Sequence, residues 1–347
     1  MSKIYPQAEN SIRTGYLIVG AGLAGCTLGY LLRKAGADVM ALERYDALNK
    51  DKLCAGAMVE KTFKLLAGIF GEDVREALHP AYINGIRLRL KGLELRRNNV
   101  HGMIAMPRKQ LDDYALCRYL NAGGKLLDRV SVKVVDSVTR EAICENLRTG
   151  RRFTIHFETI IGTDGAASSV RRLITGKKPA VIPCFEAQVP KISNEILMTY
   201  QFGKVGYAWY IPQTEHATVG AGFWNSTTAF CRESLHSFLQ EISLNVDSRA
   251  IRGAFLPSGD DILLHVGENA YFAGDAAGLI HPMSGAGIHY ALFSAKCLAK
   301  ALTGGTGYED AMSPWTEEIT GMAGKATEIQ FIRNYSIYAK GVPAKPL

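Results

Sequence analysis

Two kinds of residue in this chain carry chemistry by type and spacing: glycines beside strand ends, and carboxylates just after them. Gly20-Ala21-Gly22-Leu23-Ala24-Gly25 follows the apolar run Tyr16–Val19. Gly20 allows a tight turn, Gly22 lets the backbone approach a pyrophosphate, and Gly25 lets a helix pack on the strand. The start of that helix offers free N–H groups and a positive dipole end to phosphates. Glu43, with Arg44 beside it, closes the next apolar run, where an acid accepts hydrogen bonds from a ribose. This context predicts a dinucleotide site; the motif alone does not choose between FAD and NAD. Asp164-Gly165 and Gly274-Asp275 repeat the form, each after a short apolar run. A carboxylate there binds a sugar hydroxyl, or simply marks a turn.

Further along, Tyr207-Ala208-Trp209-Tyr210-Ile211-Pro212 alternates. Tyr207, Trp209 and Ile211 fall on one face of a strand, Ala208 and Tyr210 on the other. An aromatic wall with few polar atoms suits a long apolar substrate, and equally an ordinary core strand. Arg87, Arg89, Lys91, Arg96 and Arg97 crowd one hairpin. They read as a solvated or edge-protecting face, or as a patch for anionic lipid or a pyrophosphate head group.

The elements that must position these residues follow from periodicity. Residues 1–13 read as a polar arm. Tyr16–Val19, a helix over 26–35 and a strand over 38–42 form a β-α-β unit of the expected size. Residues 57–79 read as helical, 84–98 as a two-faced hairpin and 109–122 as a helix. Strands run through 125–161 and 184–224, helices over 229–244 and 285–303. A helical tail spans 306–336, with Pro314 near a helix start. The fold class is therefore α/β: a Rossmann-type nucleotide-binding domain (1–80, 101–183 and 256–303) interleaved with an antiparallel β-sheet substrate domain (81–100 and 184–255). C-terminal helices over 304–347 complete it.

The 347 residues are 47% hydrophobic and 21% charged, which excludes disorder and a multi-span membrane protein. Tyr16–Leu32 carries no charge, but its glycines make it a poor membrane span. The net charge of +7 favours an anionic ligand or membrane surface and is too small to argue for nucleic acid. Seven widely spaced cysteines with no CxxC argue against a disulfide framework and a zinc site. Lys3, Glu9 and Arg13 interrupt any signal-peptide layout. The expectation is a cytoplasmic protein without a metal, in peripheral membrane contact if the basic hairpin is a lipid patch.

Taken in order, the glycine loop with Glu43, then Arg108 with Leu111 and Asp112, then Thr163 to Arg171, then Gly274-Asp275-Ala276-Ala277, resemble the flavoprotein group of aromatic hydroxylases, halogenases and geranylgeranyl reductases. The resemblance implies noncovalent FAD, with Glu43 on the ribose and Arg108 against the cofactor. Asp164 and Asp275 would hold the adenine side and the ribityl-pyrophosphate region. Pro282, Gly285, Ala286 and Gly287, before a helix at Ile288, would present backbone N–H groups to the flavin pyrimidine edge. Lys52-Leu53-Cys54-Ala55-Gly56-Ala57 is similar to the Lys-Pro-Cys-Gly-Gly-Gly segment of geranylgeranyl reductases, and Tyr207–Pro212 to their Tyr-x-Trp-x-Phe-Pro signature. Leu53, Ala55, Ala57 and Ile211 depart from those patterns. Halogenases carry a segment close to Tyr207–Pro212 but usually run well beyond this length.

The implied activity is hydride transfer from reduced FAD to a carbon–carbon double bond of an isoprenoid, with Cys54 as a site residue that delivers a proton or positions substrate. The alternatives are an oxygen-using monooxygenase or halogenase, and a non-catalytic flavoprotein for redox sensing or assembly. NAD(P)H, ferredoxin or flavodoxin stand open as the electron donor.

Overall fold

The computed structural model describes residues 11–90, 93–98, 100, 102–200 and 204–323. In chain order the first half comprises β1 (Ser11–Val19), α1 (Leu23–Lys34), β2 (Val39–Glu43), β3 (Ala57–Val59), α2 (Glu60–Phe70), α3 (Val74–Leu78), β4 (Ala81–Tyr82), β5 (Gly85–Leu90), β6 (Leu93–Asn98), β7 (Met103–Ala105), α4 (Arg108–Asn121), β8 (Lys125–Asp128), β9 (Val130–Asp136), β10 (Glu141–Asn146) and β11 (Arg152–Gly162). The second half adds α5 (Ser169–Thr175), β12 (Val181–Pro190), β13 (Glu195–Thr199), β14 (Gly206–Pro212), β15 (His216–Phe223), α6 (Thr228–Glu241), β16 (Arg252–Pro257), β17 (His265–Val266), β18 (Ala270–Phe272), α7 (Ile288–Leu302) and α8 (Tyr308–Ala323).

The first sheet runs β17-β18-β11-β1-β2-β8, with β10 and β9 extending it from β11. Its centre is parallel: β1 pairs with β2 and β11, β2 with β8, and β11 with β18. Strands buried on both faces read as continuous apolar runs, as Leu17-Ile18-Val19 and Val39–Leu42 do. The register aligns their carboxyl ends: Val19 lies opposite Leu42 and Gly162, and Gly162 opposite Phe272. One residue past that line stand Gly20, Glu43, Thr163 and Ala273. Loops after adjacent parallel strands therefore open on one crevice, where α/β sheets bind ligands.

The second sheet runs β16-β12-β15-β14-β13-β5-β6. One face packs under α6, burying Phe185, Ala187, Tyr210 and Val219 against Leu235 and Phe238. The opposite face carries Cys184, Tyr207, Trp209 and Leu88. This sheet is mixed, because β5 pairs with β13 in parallel; β5 comes from a much earlier stretch of chain, so no hairpin turn joins these two strands and forces them antiparallel. A small sheet β3-β7-β4 lies apart from both.

Three expectations on elements are corrected. The helix over 57–79 starts as strand, since Ala57–Val59 pairs with β7, and it breaks at Gly71, whose φ of +118° no helix holds. Ser11–Arg13 belong to β1 rather than to a polar arm. Pro314 lies inside α8, whose buried Tyr308, Met312 and Ile319 hold the helix despite the backbone bond that proline lacks. The strands expected over 184–224 are β12 to β15, the first of which already starts at Val181. Residues 1–10, Lys91 and the tail from 324 lie outside the described residues.

Candidate functional site

The glycine loop is shaped by what surrounds it. Gly20 has φ +105°, and a Cβ there would sit 2.6 Å from the Thr163 carbonyl oxygen. A Cβ on Gly25 would sit 2.0 Å from the Gly20 carbonyl oxygen, so this glycine lets α1 approach the turn. Thr163 clamps the turn by donating its hydroxyl to the Gly20 carbonyl at 2.7 Å. Gly22 differs: nothing lies within 4 Å of a Cβ built there, and it begins α1 with no side-chain cap. The first N–H groups of α1 therefore face open space beside Gly22.

Glu43 is buried at the end of β2. Its carboxylate accepts from the Ala21 N–H at 3.2 Å and the Tyr45 N–H at 3.0 Å, and pairs with Lys50 at 2.8 Å. Lys50, which the sequence reading did not single out, also donates to the Ala21 carbonyl and ties the strand end to the glycine loop. Arg44 is exposed at the rim. Arg108 opens α4, buried, with its Nε on Asp112 at 3.0 Å. Asp275 pairs with Lys52 at 2.6 Å. Burial opposes its ionisation, but Lys52 and Arg108 outweigh that and hold it below the usual carboxylate range.

Asp164 lines the cavity and is held by the turn that follows it. Its carboxylate accepts from the Ser168 and Ser169 hydroxyls and from the Ser169 and Val170 N–H groups. It caps α5 and shapes the Gly165 turn, and nothing lies within 4 Å of a Cβ on Gly165. Gly25, Gly274 and Pro282 do not line the cavity. Gly274 lets Ala24 and Ala291 pack close, and buried Pro282 lies against Gly259. Gly285, Ala286 and Gly287 do line it, and Gly287 starts α7 without a side-chain cap. In that loop His281 accepts the Ser284 N–H on Nδ1, and burial pushes its pKa down to about 4, so the ring is neutral.

The cavity has a volume of about 1640 Å³. It runs from Gly20, Gly22 and Glu43 past Arg108, Cys54 and Asp275 to the second sheet, where Tyr207, Trp209 and Ile211 line it together with Leu88 and Met198. The Tyr207 and Trp209 rings meet edge to face at 5.7 Å. Tyr207 donates its hydroxyl to the Ser284 carbonyl and so joins this wall to the loop before α7. Trp209 lies over Gly220, where a Cβ would come within 2.2 Å of its ring. Its buried Nε1–H has no acceptor among the described residues, a state most buried donors avoid.

Cys54 is half-buried on this cavity, and the segment around it is held by the second sheet. The Cys54 N–H donates to Glu186 at 3.2 Å, and Gln213 donates to the Ala55 carbonyl at 2.9 Å. Gly56, at φ +70°, passes so close to Met106 that a Cβ would meet its carbonyl oxygen at 1.7 Å. The sequence reading missed Glu186. Its signal was an acid in phase with Ile182 and Cys184 on an otherwise apolar strand, with Gln188 continuing that face only at the exposed end.

Among the described residues, Arg87, Arg89 and Arg96 of the basic hairpin are paired within the molecule. Glu195 pairs with Arg87 at 3.0 Å and Arg96 at 2.6 Å, and Arg89 pairs with Glu94 and Glu241. Among the described residues no helix is long and apolar enough to cross a membrane, and no cluster of side chains is suited to a metal.

Comparison with known proteins gives three concordant results. A family model described as "FAD binding domain" matches residues 13–318. Digeranylgeranylglycerophospholipid reductase 2 of Methanothermobacter thermautotrophicus is 28% identical, over 81% of this chain and 75% of its own. Geranylgeranyl diphosphate reductase of Rhodobacter capsulatus is 26% identical, over 82% and 73%. The crystal structure of a geranylgeranyl bacteriochlorophyll reductase-like protein from Thermoplasma acidophilum superposes with a TM-score of 0.71, at 16% identity, over 95% of this chain and 87% of that one. A myxobacterial FAD-dependent halogenase reaches 0.66 at 17% identity, over 95% and 79%. At those identities the superpositions show the fold they share.

The residues present fit FAD. Open space at Gly22 and Gly165, two long helices that start uncapped on one cavity, and a buried carboxylate at the β2 end are the donors and clearances that a dinucleotide requires.

Proposed function

The chain belongs to the FAD-binding domain family and is a flavin-dependent oxidoreductase; from that premise we propose that it reduces carbon–carbon double bonds of a prenyl chain. One observation carries the reading: the crevice of the parallel sheet continues without a partition into a chamber walled by Leu88, Leu95, Met198, Tyr207, Trp209 and Ile211. A long apolar ligand suits such a wall. Burial of each methylene contributes about 0.8 kcal/mol, so a prenyl chain gains most of its binding energy there.

FAD supplies the hydride chemistry when bound. The chain's own residues do the rest. Gly22 and the α1 N-terminus hold the phosphates and Glu43 the ribose. The Cys54–Ala57 segment, pinned from Glu186 and Gln213, lines the junction between cofactor side and substrate side. Tyr207 and Trp209 orient the chain and exclude water, which protects the reduced cofactor from side reactions.

The test is anaerobic. Protein reduced with dithionite is mixed with geranylgeranyl diphosphate or a digeranylgeranyl glycerophospholipid. Flavin absorbance should return as product gains two hydrogens by mass spectrometry. A product that forms only with oxygen would overturn the reading in favour of a monooxygenase or halogenase.

A further inference from the structure

Glu186 is the one carboxylic acid on the cavity face of β12. Alternation along Cys184, Phe185, Glu186 and Ala187 sends Phe185 and Ala187 under α6 and leaves Cys184 and Glu186 on the cavity. The register places Glu186 opposite Gly220, and Gly220 opposite Trp209. The acid and the indole thus flank a glycine in one row of the substrate wall. One carboxyl oxygen accepts the Cys54 N–H; the other has no hydrogen bond among the described residues. Among the described residues no cation pairs with it: Arg252, its neighbour on β16, is engaged with Asp51 at 2.7 Å.

Resting on the reductase reading, we propose that Glu186 is the acid that protonates the substrate double bond. The bond gains one hydrogen as hydride, with both electrons, at one carbon. The π pair passes to the other carbon, which takes the proton of the Glu186 carboxyl. The O–H bond breaks, its electrons remain on the carboxylate, and solvent later restores the proton. Reduced FAD, when bound, would supply that hydride and with it the two electrons the double bond gains.

Such an acid must be protonated at neutral pH, and this one is: burial pushes its pKa up to about 8, against the opposing pull of the Cys54 amide and Arg252, with Asp51 adding to the rise. The groups around it are thus Asp51, Cys54, Cys184 and Arg252. The Cys184 thiol stays neutral, raised to about 12 by its own burial. The Cys54 backbone orients the acid, which gives the Cys54 segment a positioning role distinct from thiol chemistry.

The experiment has two readouts on FAD-loaded protein. In infrared spectra at pH 7, wild type should show a protonated carboxyl C=O band, shifted in deuterium oxide, that disappears in Glu186→Gln and titrates near pH 8. Single-turnover double-bond reduction should fall at least about tenfold in Glu186→Gln with FAD content retained, and wild-type rates should decline above about pH 8. The wild-type pH profile keeps the proposal falsifiable if the variant misfolds. Prenyl reduction at the wild-type rate in Glu186→Gln, absence of the carboxyl band, or a wild-type rate flat through pH 8 would each overturn the proton-donor role and leave the reductase reading standing. A wild type that shows the band but reduces no prenyl bond would overturn the reductase reading, and the donor role with it.

Discussion

Replacing Glu186 by Gln should make the protein more stable, increasingly so as pH rises. The side chain is buried, with a carboxyl pKa raised from 4.5 to about 8. The folded state therefore holds a proton that the unfolded state has lost between those values. An acid shifted upward contributes most below its unfolded pKa, and stability falls as pH rises toward its folded pKa. Each pH unit in that window costs about 1.4 kcal/mol. From pH 5 to pH 7 the wild type should lose about 3 kcal/mol that the glutamine variant keeps. Gln has nearly the same shape and retains an acceptor for the Cys54 N–H. For a chain of this length the unfolding entropy is about 0.7 kcal/mol/K, so the gap in Tm should widen by about 4 °C. The assay is thermal unfolding in excess FAD at half-unit pH steps. Neutral buried His281 titrates in both proteins and cancels in the difference. A Tm difference that stays flat from pH 5 to pH 8 would refute the reasoning, because it would mean that Glu186 is ionised in the fold.

Three further outcomes are expected. Glu43→Ala should weaken FAD binding by about 1–3 kcal/mol, the penalty for buried polar groups left unpaired; an unchanged FAD Kd by fluorescence titration would remove Glu43 from the ribose site. Gly220→Ala drives a methyl into the Trp209 ring and to within 2.6 Å of the Phe185 carbonyl, so stability should fall by about 1–3 kcal/mol and prenyl-chain affinity should drop more than FAD affinity; equal loss of both would make Trp209 a general core residue. Cys54→Ser keeps the backbone that holds Glu186, so double-bond reduction should persist within about threefold of wild type, a barrier change under about 1 kcal/mol. A fall of tenfold or more with FAD retained would return proton delivery to the thiol.

Much of the cofactor side was legible in the sequence because its determinants are local. A strand, a glycine turn and a helix lie within Tyr16–Lys34, and the acid that closes β2 follows on the next strand. Strand alternation likewise separated Tyr207, Trp209 and Ile211 from Ala208 and Tyr210, since a period of two is a property of the backbone itself. What the sequence could not supply depends on contacts between distant segments. Asp164 and Asp275 have the same local pattern and both line the cavity, yet Asp164 is held by the start of α5 while Asp275 pairs with Lys52. Gly274 and Gly285 both have positive φ, but only Gly285 comes to line the cavity. The basic hairpin reads from sequence as a solvated face or a lipid patch, and only the fold brings Glu195 to Arg87 and Arg96 and Glu241 to Arg89.

Glu186 is the sharpest case. Its spacing along β12 says which face it occupies, but a single acid on an apolar strand has no local partner to announce a role. The tertiary structure brings the Cys54 loop, some 130 residues earlier in the chain, onto its carboxyl oxygen and turns Arg252 away toward Asp51. Local spacing decides where a side chain points, because backbone geometry is short-ranged. Whether that side chain is charged depends on how much water and which ions the rest of the chain leaves around it, and only the folded assembly of both sheets determines that.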